Sequence, residues 1–292
     1  MIALAAALSA IAIAGRAPSG SAAALGSFHS LVDQYFDFYF SSHPSQGTSA
    51  GLHQYDRMLE DYSAAARQRE IRGFKDFLGQ FESLDGSRLP GGQAADREWL
   101  ISSIHSGLLE LEDIQMWRKD PGHYSGNLTN SIFVIMKRDY APLNARLRSV
   151  IERENKIPRA LELGRQSLEN PPRIYVDIAL EQLPDETDFF RNDVPRAFSG
   201  VADEGLLREF KAANQKVITA FEDYRKYLED SVLPRANGDF RLGAENYRRK
   251  LLYDEMVDIP LDRLLEIGYQ DLHRNQEALK KAAATIDSRR PL

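Results

Sequence analysis

The chain of 292 residues is long enough to bury a large core, and with 43% hydrophobic and 27% charged residues it has the composition of a globular protein, not a disordered one. Its 37 basic and 43 acidic residues give a formal net charge of -6, with the basic side chains spread among acids, a distribution that excludes a nucleic-acid footprint. Cysteine is absent, which excludes disulfides, thiol catalysis and thiolate zinc sites within these residues.

Segment 1–24 reads as a signal peptide. Ile2–Ala14 is an uncharged apolar run, shorter than the roughly 20 residues needed to span a bilayer but suited to the core of a secretory signal. Ala12-Ile13-Ala14 and Ala22-Ala23-Ala24 offer small-x-small cleavage patterns, although no Lys or Arg precedes the run. The expectation is export to the periplasm or the exterior, with no membrane contact beyond this segment.

From residue 25 to 292 the periodicity is helical. Phe28, Tyr35, Phe36, Phe38, Tyr39 and Phe40, with Val32, line one short helix that either packs into a core or walls a cavity or partner surface. A second helix is predicted over Ala65–Phe81 on Ile71, Phe74, Phe77, Leu78 and Phe81, and Leu84–Gly92 then reads as a loop by its glycines and proline. Leu100, Ile104, Leu108, Leu111 and Ile114 mark the next helix, and Lys119–Gly126 reads as a turn region. Leu143, Leu147, Val150 and Ile151 repeat the stripe before Pro158, and Asn170-Pro171-Pro172 interrupts the helical pattern because proline lacks a donor and restrains its predecessor.

The longest stripe, Leu206, Phe210, Ala213, Val217, Phe221, Tyr224, Leu228 and Val232, steps by three and four. Glu209, Lys211, Glu222, Lys226 and Asp230 fall on its other face. Near the end Asp258 is placed to cap a helix that begins around Pro260 and continues through Leu261, Leu264, Leu265 and Leu272. That helix runs past Leu279 to Ala282–Ala284 and Ile286, leaving apolar positions that need a neighbour, while Arg289 and Arg290 suit a helix end. No strand alternation of useful length and no fixed-period repeat occurs, so the fold class is all-α, a multi-helix array of long antiparallel helices.

Catalytic patterns are missing. A helical zinc peptidase site needs two histidines one turn apart with a glutamate beside the first. Among His29, His43, His53, His105, His123 and His273 no pair is four apart and none is followed by Glu. Pro121-Gly122-His123 is read as part of a turn, and His53 as a hydrogen-bonded packing residue with a substrate-facing role as the alternative. Glu110, Glu112 and Asp113 point in different directions on a helix and are read as a solvated face. Asn127-Leu128-Thr129 matches a glycosylation sequon, a weak pattern. There is no nucleophile elbow, phosphate loop or dinucleotide fingerprint. Catalytic, cofactor-binding and metal residues are therefore all assigned as none.

Three segments together resemble a family. They are His43–Asp61, the block Arg146–Gln182 with Arg153, Ile157-Pro158, Ala160-Leu161 and Pro171-Pro172, and Gly238–Gly268, in which Gly238, Arg241, Leu242, Gly243 and Tyr247 stand out. In order and spacing they look like the amino-terminal half of the bacterial family catalogued as domain of unknown function 885.

The resemblance implies a longer, exported, largely helical protein similar to zinc metallopeptidases. The His-Glu and Glu-Gly-Trp motifs of such proteins would lie in the carboxy-terminal half, and this half would wall a deep channel over the metal. By that likeness the chain is incomplete at its carboxy terminus and inactive alone. It would hold no cofactor itself, whereas a complete relative would hold zinc and act on short peptides. The alternative is a non-catalytic helical binding or structural module of the bacterial envelope. Oligomeric state is not legible.

Overall fold

The structure, a computed structural model, describes residues 19–286, with side chains from residue 27 onward. The apolar run Ile2–Ala14 and the terminal Arg289 and Arg290 lie outside the described residues, and Ser19–Ala24 belongs to the first helix. Every regular element among the described residues is helical, so the all-α class holds. The chain forms two compact units, divided after Arg241.

In the first unit α1 spans Ser19–Ser42, 24 residues where the aromatic stripe predicted a short helix. Phe28, Leu31 and Tyr35 are its buried positions, one turn or more apart on a single face. Pro44, in the first turn, starts α2 (Pro44–Ser49), since its missing N–H costs nothing there. Helix α3 (Ala64–Ser83) is capped by the Ser63 hydroxyl, which accepts from Ala66 N at 3.2 Å. Tyr35 meets the edges of Phe77 and Phe81 at centroid distances of 5.6 and 5.9 Å, which joins α1 to α3.

Helix α4 (Gly91–Leu108) runs on into one wide π turn, Leu109–Ile114, that ends at Gln115 in a left-handed conformation. The extra residue in that turn slides the stripe, so Leu109 is buried and Leu111 only half-buried, while Ile114 is buried as the stripe predicted. Short α5 (Met116–Lys119) leads to α6 (Gly122–Met136), α7 (Leu143–Glu154) and α8 (Ile157–Ser167), with Pro158 in the first turn of α8.

The reading of Lys119–Gly126 as a turn is corrected: only Asp120 and Pro121 turn, and His123 to Gly126 are helical. The Asp120 carboxylate accepts from Gly122 N at 2.9 Å, and Tyr124 and Ser125 are fully buried by that helix. Local glycine and proline suggested a loop, and tertiary burial outweighed them.

Helix α9 (Arg173–Asp188) follows the Asn170-Pro171-Pro172 break, and a π turn at Phe189–Asp193 and short α10 (Val194–Ala197) lead to α11 (Glu204–Tyr227). The Asp203 carboxylate caps α11, accepting from Leu206 N at 3.0 Å. All eight stripe residues from Leu206 to Val232 are at most 3% exposed, and the five charged residues opposite are exposed. Burial of each large apolar side chain contributes on the order of 1.5–3 kcal/mol, so this helix is the spine of the larger core formed by α6 to α11. A second core joins α1, α3 and α4.

The second unit holds α12 (Ala244–Glu255) and α13 (Leu261–Ile286). Met256, left-handed at φ 54°, closes α12 through Val257 N to Leu251 O at 3.1 Å. Helix α13 begins at Leu261, one residue past the predicted Pro260, and Leu264 N donates to Pro260 O at 2.9 Å. Neither helix has a buried residue, and Leu265, Leu272 and Leu279 are exposed, as the uncovered stripe predicted. No helix among the described residues is long and apolar enough to cross a membrane.

Candidate functional site

Arg153 on α7 is the largest fully buried side chain. Its guanidinium donates to Thr48 Oγ1 at 2.8 Å, Tyr55 O at 3.2 Å, Pro44 O and Ser45 Oγ at 3.4 Å, and also to Ser131 O on α6. Burial presses its pKa below the ordinary value, and the neighbouring charges of Glu60 and Asp56 oppose that shift. Glu60 in turn accepts from Ser45 N and Ser45 Oγ, each at 2.9 Å. One planar, five-donor cation thus stitches the chain from Pro44 to Glu60 onto α6 and α7.

A second lock lies further along the chain. Gly238 N donates to Pro171 O at 3.2 Å, and a Cβ at Gly238 would stand 2.1 Å from Asn170 O. Only glycine allows this backbone approach. The first and second segments that carry the family resemblance are thus joined by Arg153, and the second and third by Gly238.

His53 packs on an aromatic ring at the edge of a cleft. Its ring stacks on Tyr140 at 3.7 Å with an interplanar angle of 8°, and Nδ1 lies 3.3 Å from the Asp56 carboxylate. Its side chain is 41% exposed and borders an open cleft of about 440 Å³ that Arg57, Tyr140 and Arg146 also line. His123 sits in the first turn of α6; burial, opposed by Asp120, lowers its pKa and so favours the neutral ring. His43 lies 3.1 Å from Glu70 and stacks on Tyr39. His29 meets Gln93, His105 lies 3.8 Å from Glu82, and His273 neighbours Tyr269.

Among the described residues no three of His, Asp and Glu converge to hold a metal ion, so they do not fit the zinc centre that the resemblance implies. Glu112 pairs with Lys75 at 2.6 Å, and Glu110 accepts from Met116 N at 3.3 Å.

One buried and one half-buried carboxyl escaped the sequence reading. Glu154, fully buried, accepts from Asn214 on α11 at 3.0 Å, and burial pushes its pKa up to about 8. Glu186 on α9 is pushed up to about 7 by burial. The signal was present: Glu154 follows Val150 by four residues and Ile151 by three, and Glu186 follows Leu183 by three, so both lie on apolar stripes.

The predicted aromatic stripe meets a further cleft, of about 530 Å³. Tyr35, Phe36, Tyr39 and Phe40 reach it because residues three and four apart are neighbours on a helix surface, and Trp99 from α4, 44% exposed, also lines it. Lys137 and Arg138, just past the end of α6, complete the lining.

The family model for bacterial proteins of unknown function (DUF885) matches residues 44–290. This chain belongs to the DUF885 family. No curated protein matches it. Among solved structures the DUF885 chain is similar to a "putative lipoprotein of unknown function" from Shewanella oneidensis, with a TM-score of 0.78 and 20% sequence identity over 87% of this chain and 47% of that one. At that identity the likeness concerns the fold alone, and the chain spans about half the length of the protein it matches.

Proposed function

We propose that this chain is the helical scaffold part of a longer, exported envelope protein of the DUF885 family, and that the longer protein is a zinc-dependent peptidase acting on short peptides. The observation that carries the scaffold reading is the use made of the family-marking residues. Arg153, Pro171 and Gly238 are spent on mutual locking inside the fold, which is the work of a framework. Support for a longer protein comes from the 47% coverage of the Shewanella oneidensis chain. The apolar run Ile2–Ala14 supports export, and that the neighbour is a putative lipoprotein agrees with an envelope location. Zinc ligands and the water-activating glutamate would come from residues other than those described.

The test is metal analysis and peptide hydrolysis on this chain and on the extended coding sequence side by side. The expected result is stoichiometric zinc and chelator-sensitive hydrolysis in the extended protein only. An extended protein that folds, binds no zinc and cleaves no peptide overturns the peptidase reading; hydrolysis by the short chain overturns the scaffold reading.

A further inference from the structure

We infer that the aromatic cleft between α1, α4 and the end of α6 is a binding site for a small carboxylate carrying an aromatic side chain, such as the carboxy-terminal residue of a peptide ending in phenylalanine. Three features of the cleft define this ligand. Its volume, about 530 Å³, lies in the range of small-molecule sites, roughly 300–1,000 Å³. Rings form much of its wall: Tyr35 and Tyr39 stack at 6.0 Å, Phe36 and Phe40 at 5.7 Å, and Trp99 of α4 also lines it. This arrangement is fixed before any ligand arrives, since Tyr35 is held against Phe77 and Phe81 and the Tyr39 hydroxyl donates to Gln46 Oε1 at 2.8 Å.

The third feature is charge. Lys137 and Arg138 line the cleft and no carboxylate does. Neither cation has an ion-pair partner among the described residues; Lys137 Nζ reaches the Ser49 hydroxyl at 3.4 Å and lies 5.9 Å from the centre of the Phe133 ring, and Asp139, the next acid in the chain, is turned to Arg146. The cleft therefore presents two cations and no acid of its own. A carboxylate in it would accept from both, Arg138 offering a planar fork and Lys137 a point charge. The ligand's ring then lies among the aromatic walls, where offset or edge contacts are favoured. The site needs no metal and stands apart from the zinc reading, so each can fail without the other.

Calorimetric titration of the purified chain with N-acetyl-phenylalanine, its carboxamide and Gly-Gly-Phe tests the inference. Both acids are expected to bind, and the amide about ten-fold or more weaker, as loss of charge-assisted hydrogen bonds requires. Tight tripeptide with weak amino-acid binding identifies peptide ends as the source, and equal binding identifies the free acid chemistry. The double variant Lys137→Met, Arg138→Met is expected to erase the preference for acid over amide. Trp99→Leu should weaken acid and amide alike, by about three- to ten-fold. Thermal melts confirm that each variant folds, and Lys137 and Trp99 are exposed enough for substitution. Absence of binding, equal affinity for acid and amide, or dimerisation that shields Trp99 would each overturn the assignment.

Discussion

Replacing Glu154 with Gln removes one ionisable proton from the interior while keeping the shape of the side chain and an oxygen for Asn214 to bond. In the folded protein Glu154 titrates at about 8, against an ordinary 4.5, because burial penalises the carboxylate and the single hydrogen bond from Asn214 offsets little of that. Between these values the folded chain holds a proton that the unfolded chain has released, so stability falls as pH rises through the window and levels off above about pH 8. At about 1.4 kcal/mol per decade of displacement, linkage gives a loss of about 0.8 kcal/mol at pH 5, about 3 at pH 7 and about 5 at pH 9. The Gln variant lacks this term. Its stability relative to the natural chain should therefore climb by about 4 kcal/mol between pH 5 and pH 9. Any fixed cost of the amide's own unpaired N–H displaces the whole curve and leaves the slope difference intact. Urea unfolding followed by tryptophan fluorescence reads this directly, since Trp99 and Trp117 both lie in the first unit. Parallel stability curves for the two proteins across that pH range would refute the reasoning.

Arg153→Ala leaves the Thr48 hydroxyl and the carbonyls of Pro44, Tyr55 and Ser131 without their donor and strips Glu60 and Asp56 of a nearby cation. The expected loss is about 3–5 kcal/mol by chemical denaturation, and Arg153→Lys should recover only a small part of it, because one ammonium cannot replace a planar fork. Gly238→Ala forces a methyl group against Asn170 O and should cost about 1–3 kcal/mol in urea unfolding; a neutral result would mean that the Pro171–Gly238 contact is loose. Asp203→Ala removes the cap of α11 and should lower stability by about 1 kcal/mol, with Asp203→Asn close to the natural chain.

How far the fold was legible depended on the range over which each signal acts. The α11 stripe was read correctly because its eight apolar residues are spaced by the helix period alone and every one is buried. The same stripe logic predicted the uncovered face of α13. It failed where non-local packing intervened. At Leu109–Ile114 a π turn shifts the register to bury Leu109 and leave Leu111 half-buried, and no local residue announces that. At His123 to Gly126 the turn-forming glycines were overruled by burial of Tyr124 and Ser125. The position of Glu154 on an apolar stripe was visible, but its partner Asn214 lies 60 residues away, so only the folded chain shows that the carboxyl is enclosed.

The sequence by itself determined the all-helical class, the main helices and the residues that mark the DUF885 family, because helix period, proline placement and caps are local properties of the chain. The tertiary structure alone decided what those residues do. Arg153 meets partners 98 to 109 residues distant, Gly238 meets the Pro171 segment, and the aromatic stripe of α1 finds Trp99, Lys137 and Arg138 across a cleft. Burial and close approach are properties of the packed whole: a charge becomes a lock and a row of rings becomes a wall only when distant segments enclose them.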